Sequence, residues 1–316
     1  MKFRSMILAA LLGLFTLPAF AQDKPTVNVG ATIFTDYTYT VEPTTTDADG
    51  NSINASAFNV SRAYLNFTGK VNDRVSFRVT PDIVRSADGL VFRVKYAFAQ
   101  IGINKDTWVR AGAQQTPYVD FIEGVYRYRF QGTTFTERVN SLSSSDLGVS
   151  VRTVYKFAEV HAGYYNGESY KSPEVNDQKG FMVRGTVKTP VSGLRATAFY
   201  VKDNYVQSAE RNRFVGTLTY ENPRVNAGFD VLRADDQTSV RQPNVNTRGY
   251  SFWATPKLTR GFEVLVRRDV LTSTDTKRNI VGVSYWFPKT NSAVLVDYDA
   301  TNTQSKKVGV KALINF

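Results

Sequence analysis

From Val308 to the last residue, Phe316, the chain alternates: Val308, Val310, Ala312, Ile314 and Phe316 are apolar, while Gly309, Lys311 and Asn315 lie between them. A period of two is the mark of an extended strand, whose successive side chains point to opposite faces. The pattern recurs in Val75, Phe77, Val79, Pro81 and Ile83 against Ser76, Arg78, Thr80 and Asp82. It returns in Val149, Val151, Thr153, Tyr155 and Phe157 against Ser150, Arg152 and Lys156, and in Phe181, Val183, Gly185 and Val187 against Arg184, Thr186 and Lys188. A chain of this kind can only build sheet with one greasy and one polar face. Beyond the N-terminus no stretch approaches the roughly 20 apolar residues of a membrane-crossing helix.

The connections alternate as well. Short, turn-rich joins occur at 72–73, 104–105, 158–159, 190–193, 222–223, 256–261 and 288–292. Between them lie mostly longer polar segments, at 42–56, 86–89, 118–146, 167–179, 203–211, 234–246, 271–277 and 300–304. Seven turns and eight loops predict an all-β chain of about 16 strands, and an even count with short turns at one rim and long loops at the other predicts a transmembrane antiparallel β-barrel of the outer-membrane kind. Composition agrees. Hydrophobic residues make up 42%, below the roughly 45–50% of soluble domains with a dry core. A barrel in lipid needs only an apolar outer band, and closing the sheet removes the unpaired edge that hydrocarbon would penalise. Aromatics gather beside the short turns, at Phe157, Tyr220, Tyr285, Phe287 and Phe316, where an interfacial girdle belongs. A soluble sandwich would scatter them.

Lys2 and Arg4, the apolar run from Met6 to Phe15, and Ala19-Phe20-Ala21 read as a cleaved secretory signal peptide over 1–21, leaving 22–316 as the barrel. With no Cys and one His, the chain offers no disulfide, thiolate metal site or imidazole cluster. No cofactor or catalytic set is expected. His161, in Val160-His161-Ala162-Gly163-Tyr164, has no serine two residues on and reads as a lumen or wall residue. Asp47-Ala48-Asp49-Gly50-Asn51 echoes a calcium loop but lacks the distal bidentate Glu, so an ordinary loop tip is expected. The net charge of +11 is spread over strands of an exported chain, which argues against a nucleic-acid partner.

Three segments resemble the phosphate-selective porin O and P family of Gram-negative outer membranes. They are Phe58-Asn-Val-Ser-Arg-Ala-Tyr-Leu-Asn-Phe-Thr-Gly69 running on to Pro81-Asp82, then Val109-Arg-Ala-Gly-Ala-Gln-Gln-Thr-Pro117, and Asp146-Leu-Gly-Val followed by Tyr164-Tyr-Asn-Gly167. The resemblance implies a trimeric, water-filled porin in outer-membrane lipid, and a terminal aromatic, Phe316, that is similar to the signal read by the barrel-insertion machinery. No lysine cluster or continuous arginine ladder of the phosphate-specific members aligns, so phosphate preference is not implied.

Strand parity places Arg62, Arg78, Arg93, Lys95, Arg110, Arg152, Lys156, Arg184, Arg195, Arg213, Arg267 and Lys311 toward the lumen, against Asp82, Glu221, Asp230, Glu263, Asp269 and Asp297. One charge about 5 Å from an ion in a watery pore contributes only about 0.8 kcal/mol, so selection needs several cations at one narrow level. The longest loop, 118–146, is the third external one and is expected to fold inward. It carries Asp120, Glu123 and Glu137 with Arg127, Arg129 and Arg138, an acidic and a basic side able to set a transverse field. The expected function is passive diffusion of small anions and other small hydrophilic solutes with a mild anion preference. The competing readings are a non-conducting barrel with a surface-binding or structural role, and an outer-membrane enzyme.

Overall fold

The computed structural model describes residues 25–316 except 88 and 304, and of Tyr205 only the backbone; the expected signal peptide, 1–21, lies outside the described residues. Sixteen antiparallel strands close into one barrel. They are β1 (Thr26–Glu42), β2 (Ser56–Lys70), β3 (Val75–Ser86), β4 (Gly89–Gly102), β5 (Thr107–Gln115), β6 (Ser145–Val154), β7 (Ala158–Tyr165) and β8 (Gly180–Lys188). The second half comprises β9 (Leu194–Val206), β10 (Ala209–Glu221), β11 (Val225–Asp236), β12 (Val245–Pro256), β13 (Phe262–Leu271), β14 (Thr276–Trp286), β15 (Ala293–Thr301) and β16 (Lys306–Asn315). Each strand pairs with the next, and β16 pairs back on β1, with Asp36 opposite Lys311 and Tyr37 opposite Val310. Ala31 and Phe316 exchange both backbone hydrogen bonds at 2.8 and 3.1 Å, so the seam is sealed to the last residue.

The seven short turns share one rim. Some boundaries differ from the sequence expectation. Ala158 and Glu159 open β7, and the turn before it is 155–157; Lys156 is therefore an exposed turn residue and not a lumen cation. Around 203–211, β9 and β10 run on to Val206 and from Ala209, because strand tips beyond the apolar band are polar on both faces and read as loop. Phe157, Phe287 and Phe316 are exposed at the short-turn rim, and Tyr285 packs between Phe262 and Phe287 with ring centroids 5.0 and 5.2 Å apart.

Alternation holds through most of the wall: Val308, Val310 and Ile314 are exposed, while Gly309 and Leu313 are buried. It slips where the ladder is irregular. The pairing of β3 with β4 shifts between Thr80 and Pro81, where Tyr96 faces Thr80 and Val94 faces Pro81. The extra residue is Lys95, and it turns inward together with Tyr96, both being buried. A bulge of this kind re-aims side chains on either side of it.

Candidate functional site

The connection between β5 and β6 spans 116–144 and contains two helices, α1 (Pro117–Tyr126) and α2 (Phe135–Arg138). Proline at the first position of α1 supplies a preset helical φ where no intrahelical N–H bond is lost. Arg127 ends the helix in the left-handed region, at φ 59°. Along α1, Tyr118, Val119, Ile122, Val125 and Tyr126 are buried, a stripe at helical spacing, while Asp120, Glu123 and Gly124 lie on the other side.

The stripe meets the inner wall strand by strand. Arg184 on β8 donates from Nε to the Pro117 carbonyl at 2.7 Å. The Tyr118 ring stacks on Phe199 of β9 at 5.4 Å, and its hydroxyl lies 2.8 Å from both Thr217 Oγ1 on β10 and Asp230 Oδ1 on β11. Tyr126 packs edge-on against Trp253 of β12 at 5.2 Å. The Tyr128 hydroxyl donates to Glu263 Oε2 on β13 at 2.9 Å and lies 2.7 Å from Ser284 Oγ on β14. Gln131 Nε2 donates to Asp297 and Asp299 of β15 at 3.0 and 3.1 Å, and Lys311 Nζ on β16 donates to the Gln131 carbonyl at 2.9 Å. From 117 to 131 the segment thus travels round the inside of the wall in the order β8 to β16. Beneath it Val215, Leu232, Leu265, Ile280 and Leu295 form an apolar inner surface. Parity gave the polar inward residues of these strands; the apolar inward patch has no signal in the sequence except against the helical stripe it covers.

On the other side of α1 lies open space. One cavity of about 320 Å³ is bounded by Tyr64, Arg78, Lys95 and Tyr96 of β2–β4 and by Asp120, Glu123 and Arg129 of the inserted segment. A second, of about 370 Å³, is bounded by Trp108, Arg110, Arg152, His161, Arg184 and Arg195 and again by Asp120. Asp120 and Glu123 on the helix therefore face basic side chains of the wall across open space.

These cations differ in how they are held. Arg62 pairs with Asp82 at 2.5 Å and reaches the Tyr170 hydroxyl at 3.1 Å; Arg152 and Arg184 share Glu159, Arg152 at 2.6 Å. Arg195 pairs with Glu221 at 3.1 Å, Arg213 with Asp236 at 2.7 Å, Arg267 with Asp269 at 2.8 Å and Lys311 with Asp297 at 3.1 Å. Among the described residues, Arg78, Lys95 and Arg110 make no ion pair. Arg78 lies over the Tyr96 ring at 4.5 Å and donates to Asn66 and Thr80 at 2.8 and 2.9 Å. Lys95 sits over Tyr64 at 4.8 Å. Arg110 is held between Phe98 and Trp108, 4.6 and 4.0 Å away, and donates to Gln100 and Gln115, both at 2.8 Å. Rings and amides fix these side chains without cancelling their charge. Arg93 stands across from Asp82 on the far side of the bulge.

The loop's own charges are mostly engaged. Arg129 bridges Glu123 at 2.6 Å and Glu137 at 3.4 Å. Burial works against its charge, yet the two carboxylates raise its pKa above the usual value; burial likewise opposes charge on Glu137, and Arg129 and Lys95 hold its carboxyl below the usual range. Arg127 stacks on Trp286 at 4.1 Å with Glu263 3.8 Å away, and Arg138 lies 3.4 Å from Asp269.

Ser150, which chain spacing does not reveal, lies across the sheet with its Oγ 3.2 Å from His161 Nε2. Its hydroxyl donates to Gln114 at 2.6 Å, and among the described residues no carboxylate bonds to the imidazole to orient it. Asp47 accepts from the backbone N–H of Asp49 and Asn51 at 3.0 and 2.8 Å, closing an Asx-type loop on itself.

The sequence profile described as phosphate-selective porin O and P matches residues 36–212. No curated protein matches the chain in sequence. Among solved structures, an anion-selective porin from Comamonas acidovorans superposes with a TM-score of 0.64 at 13% identity, covering 92% of this chain and 99% of that one. OmpT of Vibrio cholerae, folded in vitro and in trimer form, gives 0.64 at 15% identity, with 93% and 100% covered. The outer-membrane channel DcaP of Acinetobacter baumannii gives 0.62 at 12% identity, with 95% and 100% covered.

Proposed function

Because the chain belongs to the phosphate-selective porin O and P family, a channel-forming barrel of the Gram-negative outer membrane, we propose that it is a general diffusion porin for small hydrophilic solutes with a mild anion preference, narrowed between α1 and the inner faces of β2–β5. The observation that carries this reading is the placement of Arg78, Lys95 and Arg110, inward cations without carboxylate partners, across open space from Asp120 and Glu123. Separated charges of this kind hold a transverse field, and the excess on the wall concentrates anions. The loop is suited to be a fixed constriction because its polar and aromatic contacts run over consecutive strands. The outward side chains Val27, Val29, Leu65, Val79, Val94 and Val149 form an exposed apolar face over β1–β6, which suits contact between copies; with OmpT of Vibrio cholerae solved as a trimer, this supports a homotrimer. A leader over 1–21 supports export, and the exposed Phe316 suits recognition by the insertion machinery. The test is a planar bilayer. An ohmic single-channel current whose zero-current potential in a salt gradient lies toward the anion's equilibrium potential is expected. A protein that inserts and stays silent would favour a non-conducting surface barrel.

A further inference from the structure

The outer faces of β10–β13 carry charge where a barrel should be apolar. Arg233 lies directly across the sheet from Arg248, and Arg268 lies across from Phe252. All three alternate with inward residues, Leu232, Gly249 and Arg267, and so point away from the lumen. Each sits three residues from the long-loop end of its strand, which places it about 7 Å below that end for strands tilted near 45°. Like charges set opposite each other across a sheet destabilise it, and an arginine on the lipid face is costly at mid-membrane and costs little near the interface.

The local acids do not balance this cluster. Arg248 reaches Asp235 at 2.6 Å and Arg233 reaches the same carboxylate at 3.5 Å, with the Arg233 side chain still 66% exposed. Among the described residues Arg268 makes no ion pair and bonds a neutral partner, Asn279, at 3.0 Å. On the same outward face stand Phe214, Phe229, Tyr250 and Phe252, all exposed, with Phe214 directly opposite Arg233 and Phe229 directly opposite Phe252. Guanidinium groups above, rings below: this is the profile of an amphiphile with phosphates at its head and acyl chains beneath. We propose that this face is a binding site for a phosphorylated, multiply acylated glycolipid of the outer leaflet, its phosphates held by Arg233, Arg248 and Arg268 and its chains lying on the rings. Arginine suits phosphate because its planar fork donates two parallel hydrogen bonds. The site rests on the outer-membrane placement of the barrel but not on its conduction. A second copy of the chain fits it less well than it fits the mostly apolar face over β1–β6.

The test titrates the purified full-length protein in detergent with deep-rough lipopolysaccharide, its phosphatase-treated form, or phosphatidylglycerol, and counts bound lipid by native mass spectrometry. Saturable binding of the phosphorylated glycolipid alone is expected. The triple variant R233Q/R248Q/R268Q should raise half-saturation by ~tenfold or more. Asp235→Asn, which removes the acid competing for two of the arginines, should lower it. Heat-modifiable migration in gels, unchanged in each variant because these side chains face lipid, establishes that the barrel is intact; if the triple variant does not fold, Asp235→Asn and the single Arg268→Gln decide alone. Equal binding by the variants and the parent overturns the proposal. So do equal binding of the dephosphorylated lipid, equal binding of phosphatidylglycerol, and loss of the oligomer in the triple variant, which would assign the face to a contact between copies.

Discussion

Replacing Arg78, Lys95 and Arg110 together by Gln removes three wall charges beside α1 that have no carboxylate partner, while Gln keeps hydrogen-bonding capacity toward Asn66, Tyr64 and Gln100. For an ion passing about 8 Å from each, the unscreened interaction in water is about 0.5 kcal/mol per charge, falling to about 0.2 kcal/mol at 0.1 M salt, where the screening length is about 10 Å. Three charges then stabilise an anion by about 0.7 kcal/mol and disfavour a cation equally, so the difference of about 1.4 kcal/mol is a tenfold ratio. At 1 M salt the screening length of about 3 Å cuts each term to about 0.04 kcal/mol, and the ratio to below about 1.5-fold. The assay is the zero-current potential across a planar bilayer, at low and at high salt. The triple variant should lose about a tenfold anion preference at 0.1 M and almost nothing at 1 M. A control that removes a neutral pair, Arg195→Gln with Glu221→Gln, should shift neither. An unchanged potential at 0.1 M would show that these side chains do not border the conduction path.

Tyr118→Phe takes one of two hydroxyl donors from the buried Asp230 carboxylate and should cost about 1–3 kcal/mol, read as a lower heat-modifiability midpoint and more frequent brief closures; an unchanged midpoint refutes the anchoring role. Glu137 is held below the usual carboxyl range with Arg129 beside it, so the stability it contributes is present above its unfolded value of about 4.3 and is lost as pH falls through its folded value. Current noise should therefore be flat from pH 7 to 5 and rise below about pH 4, and Glu137→Gln should show the noise at every pH. Deleting Phe316 leaves the Ala31 backbone donor and acceptor unpaired at the seam; outer-membrane levels should fall while the channels that do insert keep normal conductance, and normal levels would count against an assembly role.

The barrel was legible because lipid outside and water inside impose a period of two, and because seven tight turns leave turn residues in the sequence. The third external loop was legible from its length and its loss of that period, although β6 begins at Ser145 rather than after Asp146. What did not show was the pairing of charge. Arg62 and Arg78 look alike along the chain, but register puts Tyr64, two residues on from Arg62, across from Asp82 and puts Arg78 across from Thr68, so the first is neutralised and the second is not. Lys95 was placed inward by parity, and it is inward because a bulge turns it and Tyr96 the same way. Phe199, Leu232 and Trp253 face inward against the ordinary polarity of a lumen, since what they meet is another part of the chain and not water.

The inserted segment is bonded to β8–β16, while the cavity beside α1 adjoins β2–β4. The two arcs of the wall therefore carry different constraints. Along the first arc a side chain answers to the passing solute, and charge can change there without loosening anything. Along the second it answers to α1 and its neighbours, and each change must be matched by one in the segment it holds. A chimera that exchanges β2–β5 between relatives should inherit the donor's ion preference. One that exchanges β10–β15 alone should keep the preference and lose the quiet open state.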